Sequence, residues 1–236
     1  FSRWRKTSAN ILITQHWPFL VGTPLVLFLI SYFFTEKVDI IAVGVETLAV
    51  WILVLLLRHL WKSGAISSAS QLGMLLGHAG IAVAILGVVV TTTYSEGRDV
   101  RMEPGDSISL AGYQFDFRGV QQVRGPNYLA DQAEFNITYD GEFVAKLRPE
   151  KRFYSVAQNV MTEADIDPGL MRDLYVALGE KVSDSAWAVR AHVKPFVRWI
   201  WLGGLLVALG GGVTLFDKRY RRPIADMVEN TARASA

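Results

Sequence analysis

The stretch Leu72–Thr93, LGMLLGHAGIAVAILGVVVTTT, decides the fold: it is long and apolar enough to cross a bilayer as one helix, yet it carries a histidine and four glycines. Gly73, Gly77, Gly80, Ala84 and Gly87 recur at alternating steps of four and three, drawing one stripe of small residues along the helix for close contact with a neighbour. At ~100° per residue His78 falls well off that stripe, beside Gln71, Met74, Ile85 and Val89. The helix is therefore expected to have a smooth packing face and a second face that offers a nitrogen among apolar groups. An imidazole in hydrocarbon is costly unless something binds it. Two readings account for it: a hydrogen bond to another helix, or ligation of a buried haem iron.

Working outward, 51% of the chain is hydrophobic and the apolar residues are clustered, which places it in the membrane class. Four spans are expected, Trp17–Phe34, Ile40–Leu57, Leu72–Thr93 and Phe196–Phe216, each close to the ~20 residues that a bilayer core needs. The expected architecture is membrane α-helical. Residues 1–93 form a three-helix region, 94–194 an all-β domain inserted between the third and fourth helices, 195–217 the fourth helix and 218–236 a tail. Nothing resembles a cleavable signal peptide, and the first residue is Phe, so the chain is expected to be a piece of something longer.

Basic residues set the orientation. Arg3, Arg5 and Lys6 precede the first span, Arg58 and Lys62 follow the second, and Lys218, Arg219, Arg221 and Arg222 follow the fourth, so these segments are assigned to the cytoplasm. The loop 35–39 and the domain 94–194 then fall on the opposite side of the membrane. That domain carries 12 Lys+Arg against 16 Asp+Glu. The net charge of +2 thus reflects topology and gives no indication of nucleic acid. With no cysteine, the domain must stand on its hydrophobic core and membrane tethers.

The domain reads as β. Tyr113, Phe115 and Phe117 alternate with Gln114, Asp116 and Arg118, after a Pro104-Gly105-Asp106 turn and a short strand at 107–110. Segments 134–139 and 142–147 flank Asp140-Gly141, a dipeptide suited to a two-residue type I′ turn. Trp187, Val189, Ala191 and Val193 alternate with Ala188, Arg190, His192 and Lys194, so a last strand is expected to run into the fourth span after Pro195. A small sandwich or barrel results. Asn136-Ile137-Thr138 matches a glycosylation acceptor but reads as strand sequence.

The remaining polar residues have plain readings. Glu46 lies ~9 Å inside the second span, where it reaches a headgroup or a polar partner helix, with proton relay as the functional alternative. Arg198, Trp199 and Trp201 form an interfacial belt. His59 is expected in a cytoplasmic loop, His16 at an interface and His192 on a solvated strand face. No catalytic triad, carboxylate pair or HxxxH spacing is legible, so no catalytic residue is nominated.

Several longer runs carry a resemblance: Arg98-Asp99-Val100-Arg101-Met102 with Pro104-Gly105-Asp106, Gly125-Pro126-Asn127-Tyr128, Glu150-Lys151-Arg152-Phe153-Tyr154, Met161-Thr162-Glu163-Ala164, Arg172-Asp173-Leu174-Tyr175-Val176-Ala177-Leu178-Gly179-Glu180 and Lys194-Pro195-Phe196-Val197-Arg198-Trp199-Ile200-Trp201. From about Leu72 to about Arg222 the chain resembles the C-terminal part of the CcmF/NrfE family, the large membrane subunit of the bacterial cytochrome c haem lyase. The resemblance implies that His78, in Gly77-His78-Ala79-Gly80, is an axial iron ligand of a structural b-type haem. It further implies an assembly that joins haem vinyl groups to the CxxCH thiols of apocytochrome c, with the b haem as a relay that reduces the substrate haem. Its partners would be the rest of the lyase subunit, an apocytochrome-binding subunit, a periplasmic haem chaperone, apocytochrome c and membrane lipid.

Departures from the family are equally clear. Its tryptophan-rich periplasmic segment, two periplasmic histidines and second transmembrane histidine ligand have no counterpart here, so the chain offers half of a six-coordinate site. Two alternatives stand beside this reading. One is the specialised nitrite-reductase haem lyase of the same family. The other is a transporter or sensor subunit in which Glu46 and His78 line a proton or ligand path.

Overall fold

The computed structural model describes residues 9–34, 38–64, 66 and 68–217. The terminal basic residues used for orientation, Arg3 to Lys6 and Lys218 to Arg222, lie outside it, as do loop residues 35–37 and the side chain of His16. Four helices and ten strands follow in the order α1 Ala9–Phe34, α2 Ile40–Ser63, α3 Ala69–Tyr94, β1 Glu96–Met102, β2 Ser107–Leu110, β3 Tyr113–Arg124, β4 Tyr128–Tyr139, β5 Glu142–Leu147, β6 Glu150–Tyr154, β7 Asn159–Glu163, β8 Asp165–Pro168, β9 Arg172–Lys181, β10 Trp187–Pro195 and α4 Val197–Leu215. They fall into two compact units, residues 1–89 with 199–236, and residues 90–198.

Among the described residues three helices, α2, α3 and α4, are long and apolar enough to cross a membrane, which makes this a membrane protein. The expected count of four is therefore met by three. α1 has Pro18 and Pro24 inside it, and its apolar stretch Trp17–Phe33 is shorter.

Side-chain caps define the helix ends. Asp39 accepts from Ile41 N (2.8 Å) and Ala42 N (3.2 Å) to open α2, and Gly64, at φ 69°, closes it with its N–H on Leu60 O (3.1 Å). α2 consequently continues past Leu57 and carries Arg58, His59 and Lys62 on its last turns. At the start of α3 Ser68 Oγ accepts from Gln71 N at 3.2 Å. The buried carboxylate of Asp217 accepts from Ser70 N at 2.9 Å, so the residue after α4 neutralises the positive end of α3.

α3 and α4 run antiparallel on the glycine stripe. A Cβ built on Gly80 would come within 2.6 Å of Gly203 O, one on Gly87 within 2.7 Å of Ile200 N, and one on Gly73 within 2.1 Å of Thr214 Oγ1. Gly203 and Gly210 reciprocate, at 2.5 Å from Ala84 N and 2.8 Å from Gly77 N. Only hydrogen fits at these contacts, which is how small residues let backbones approach in a bilayer. Gly77 is the exception, because a Cβ there would meet nothing within 4 Å.

The β unit is a sandwich, which decides between the two expected forms. One sheet has the order β1-β10-β9-β8, and the other β2-β3-β4-β6-β7 with β5 also on β4. Inward residues alternate along the strands: Phe115 and Phe117 from β3, Phe135 and Ile137 from β4, Leu174, Val176 and Leu178 from β9, and Val189 and Ala191 from β10 are buried. Phe117 stacks on Phe135 with ring centroids 5.0 Å apart. Asp140 (φ 49°) and Gly141 (φ 79°) both take the left-handed conformation that a type I′ turn requires. Asn136 lies within β4, consistent with its reading as strand sequence.

Candidate functional site

His78 occupies the third turn of α3, on the side turned away from α4, and its ring is exposed. Its Nδ1 lies 2.8 Å from the carbonyl oxygen of Met74, one turn earlier. A carbonyl oxygen only accepts, so Nδ1 is the donor in this bond and Nε2 lies outside it. Ile81 and Val88 are the large apolar side chains exposed on the same helix, while Gln71, Met74, Ile85 and Val89 are half-buried. The result is one imidazole nitrogen presented from an apolar helix face, with the ring oriented by backbone. Such a carbonyl partner is what orients histidine ligands in metal sites, and the donor fits an axial position on haem iron. Among the described residues no three or more His, Cys, Asp or Glu side chains converge as a metal-binding group, so His78 offers a single donor.

The other histidines are corrected by their surroundings. His59 is on α2 rather than in a loop, and Gln71 Nε2 donates to its Nε2 at 3.1 Å. His192 is partly buried rather than solvated: its ring centroid is 5.5 Å from that of Tyr175, and its Nδ1 lies 2.1 Å from where a Cβ on Gly97 would stand. Burial and, after it, nearby Lys194 hold its pKa below the ordinary histidine value, while Asp99 opposes. Beside it Arg190 grips Asp99 with both forks, at 2.7 and 2.8 Å, which lowers the carboxyl pKa. Both partners are exposed, so the pair adds little stability. Glu46 is only 5% exposed, and its Oε1 meets no partner among the described residues, so it turns inward instead of toward headgroups.

Sequence reading did not foresee that three of the quoted runs meet. Gly125 N donates to Tyr128 O at 2.9 Å, and the Tyr128 ring covers Gly125 so closely that a Cβ would stand 2.3 Å from Cζ. Arg152 lies 4.6 Å over that ring, bonds Glu150 at 2.7 Å and reaches Glu163 at 3.6 Å, and Tyr154 stands 5.5 Å from Tyr128. The spacing hinted at this, since aromatic and arginine residues recur at the strand ends that the register of β4, β6 and β7 brings together.

Comparison with known proteins shows the family. Residues 93–195 match the family profile described as the CcmF C-terminal beta-sandwich. The chain is 42% identical over 228 residues to the cytochrome c-type biogenesis protein CcmF of Pseudomonas aeruginosa, covering 93% of this chain and 35% of the relative. It is 44% identical over 219 residues to CcmF of Escherichia coli, covering 92% and 33% respectively. With the cytochrome c-type biogenesis protein NrfE of Haemophilus influenzae it shares 35% over 176 residues, covering 75% and 27%. A solved structure named cytochrome c heme lyase CcmF superposes with TM-score 0.66 at 18% identity, over 92% of this chain and 36% of that one, and so shares the fold. The chain spans about a third of the length of the curated CcmF relatives, at 35% and 33%. Its sandwich, its spans and its sequence agree on one conclusion: the chain belongs to the CcmF family and carries that family's C-terminal β-sandwich.

Proposed function

We propose that the chain is the part of a cytochrome c haem lyase that ligates a b-type haem, with His78 Nε2 as one axial ligand. The carrying observation is the Met74 bond, which commits Nδ1 as donor and leaves Nε2 outward on an apolar face. When bound, that haem would supply one-electron chemistry, its potential set by axial ligand and burial, for reducing the haem to be attached. The protein's own contribution is positional. Met74 orients the ring, the α3–α4 glycine contact holds the helix rigid, and Ile81 and Val88 line the same face with apolar surface.

In the complete assembly, the second axial ligand and the residues that hold substrate haem come from the rest of the lyase subunit. Haem arrives from a periplasmic chaperone, an apocytochrome-binding subunit presents apocytochrome c, and thioethers form at its CxxCH thiols. The β unit lies in the periplasm and the spans in the bacterial inner membrane. There the sandwich receives a partner subunit. The higher identity and longer coverage of the CcmF relatives favour the general lyase over the specialised NrfE type.

His78→Ala in the complete lyase should remove the low-spin b-type optical signal, and added imidazole should restore part of it. A folded His78→Ala lyase with normal haem content and an unchanged spectrum would overturn the assignment and return His78 to helix packing.

A further inference from the structure

The β8–β9 hairpin ends in Gly169-Leu170-Met171, and Leu170 and Met171 are 62% and 54% exposed. Hairpin tips are ordinarily built from Gly, Asn, Asp, Ser or Pro, because these supply the turn conformation and solvate readily. Two adjacent large apolar side chains at a tip therefore call for a partner that covers them.

The register says where this tip stands. Arg172 pairs with Pro195, the last residue of β10, so the tip extends beyond the sheet alongside the chain that enters α4. Phe196 N donates to Met171 O at 3.0 Å, one residue before α4 begins at Val197. Phe196 is held there at φ 60°, which an aromatic residue rarely adopts, so the contact is a fixed feature of the junction. Arg198, exposed on the first turn of α4, marks headgroup depth.

Behind the tip the same end of the sandwich is amphipathic. Arg172 Nε donates to Tyr113 Oη at 3.2 Å, and Tyr113 packs on Tyr139 with ring centroids 4.8 Å apart. Lys194 lies 5.5 Å over the Tyr175 ring. Tyrosines and cations ranked behind an apolar tip are the composition of a bilayer interface.

We infer that Leu170 and Met171 form a lipid contact, seated at the headgroup–acyl boundary of the leaflet through which α4 enters the membrane. The hairpin is then an extra anchor for the sandwich, separate from its two chain connections. The inference needs α4 to cross the membrane and is independent of any role for His78.

The absence of cysteine makes the test direct. Single cysteines are placed at Leu170, Met171 and Val156, the last being 91% exposed on the β6–β7 turn, among the strand ends opposite Tyr113 and Tyr139. The full chain is spin-labelled and reconstituted in phosphatidylethanolamine–phosphatidylglycerol vesicles, and label relaxation is measured with oxygen and with a nickel chelate. The Leu170→Cys and Met171→Cys labels are expected to collide several-fold more with oxygen than with nickel, relative to the water-exposed Val156→Cys label. Values matching Val156→Cys would overturn the inference. So would labels shielded from both reagents, which would mean that protein covers the tip.

Discussion

His192 holds its position on a proton-sensitive footing. Its ring lies across Gly97 of β1 and against Tyr175 of β9, with Lys194 and Arg190 on its own strand disfavouring the charged form and Asp99 and the Glu96 backbone favouring it. Burial is the largest influence, so the folded-state pKa sits below the ordinary value of about 6.5. Between the folded pKa and about 6.5 the unfolded chain binds more protons, so stability from this site is complete above about pH 6.5 and declines as pH falls through the lower value. Hydrogen exchange corrected for intrinsic rates should show β9 and β10 amides opening more readily at acidic than at neutral pH, and His192→Gln should flatten that difference. Equal pH sensitivity in the two proteins would mean that another group carries it. Alternation along β10 correctly turns this side chain outward, yet exposure did not follow. Its cross-strand partner is a glycine, a fact that register supplies and a single strand's pattern does not.

α3 illustrates how far an element's sequence speaks for its packing. The stripe is real, and five positions read from periodicity lie along the α4 contact, but only four of them point their Cβ directions into it or already carry a Cβ there. Gly80→Leu should therefore force the helices apart, at about 1–3 kcal/mol for overpacking, while Gly77→Leu should be accommodated. Folded yield and thermal unfolding in detergent distinguish them, and equal loss in both variants would contradict the interface. The strands were legible where alternation is clean, as in β2, the first half of β3, the β4–β5 hairpin and β10. β3 loses phase after Phe117 because the ladder shifts between Phe117 and Gly119, and Gly119 takes φ 132°. The short strand β7 exposes all but one of its residues and carries no inward rhythm to detect, and β8, at four residues, is too short for its alternation to stand out. His78 was legible as an anomaly because an imidazole stands out in a span. The capping role of Asp217 was not, since nothing local links it to Ser70.

At the scale of the whole molecule, the chain alternates between bilayer and water, and orientation is the property that its function depends on. Asp140→Cys, at the exposed β4–β5 turn, should react with an impermeant maleimide on intact spheroplasts, whereas Ser63→Cys at the end of α2 should react only after permeabilisation. The reverse pattern would invert the topology and remove the lyase reading with it. The cap on α3 also has a consequence in time. Ser70 and Asp217 are 147 residues apart, so at 5–20 residues per second the ribosome takes about 7 to 30 s between them. Throughout that interval α3, once made, has neither its carboxylate cap nor the glycine ridge of α4 to lie against. The pairing of α3 with α4 thus waits on synthesis of the intervening strands, and the arrival of Asp217 is the event that closes the first turn of α3.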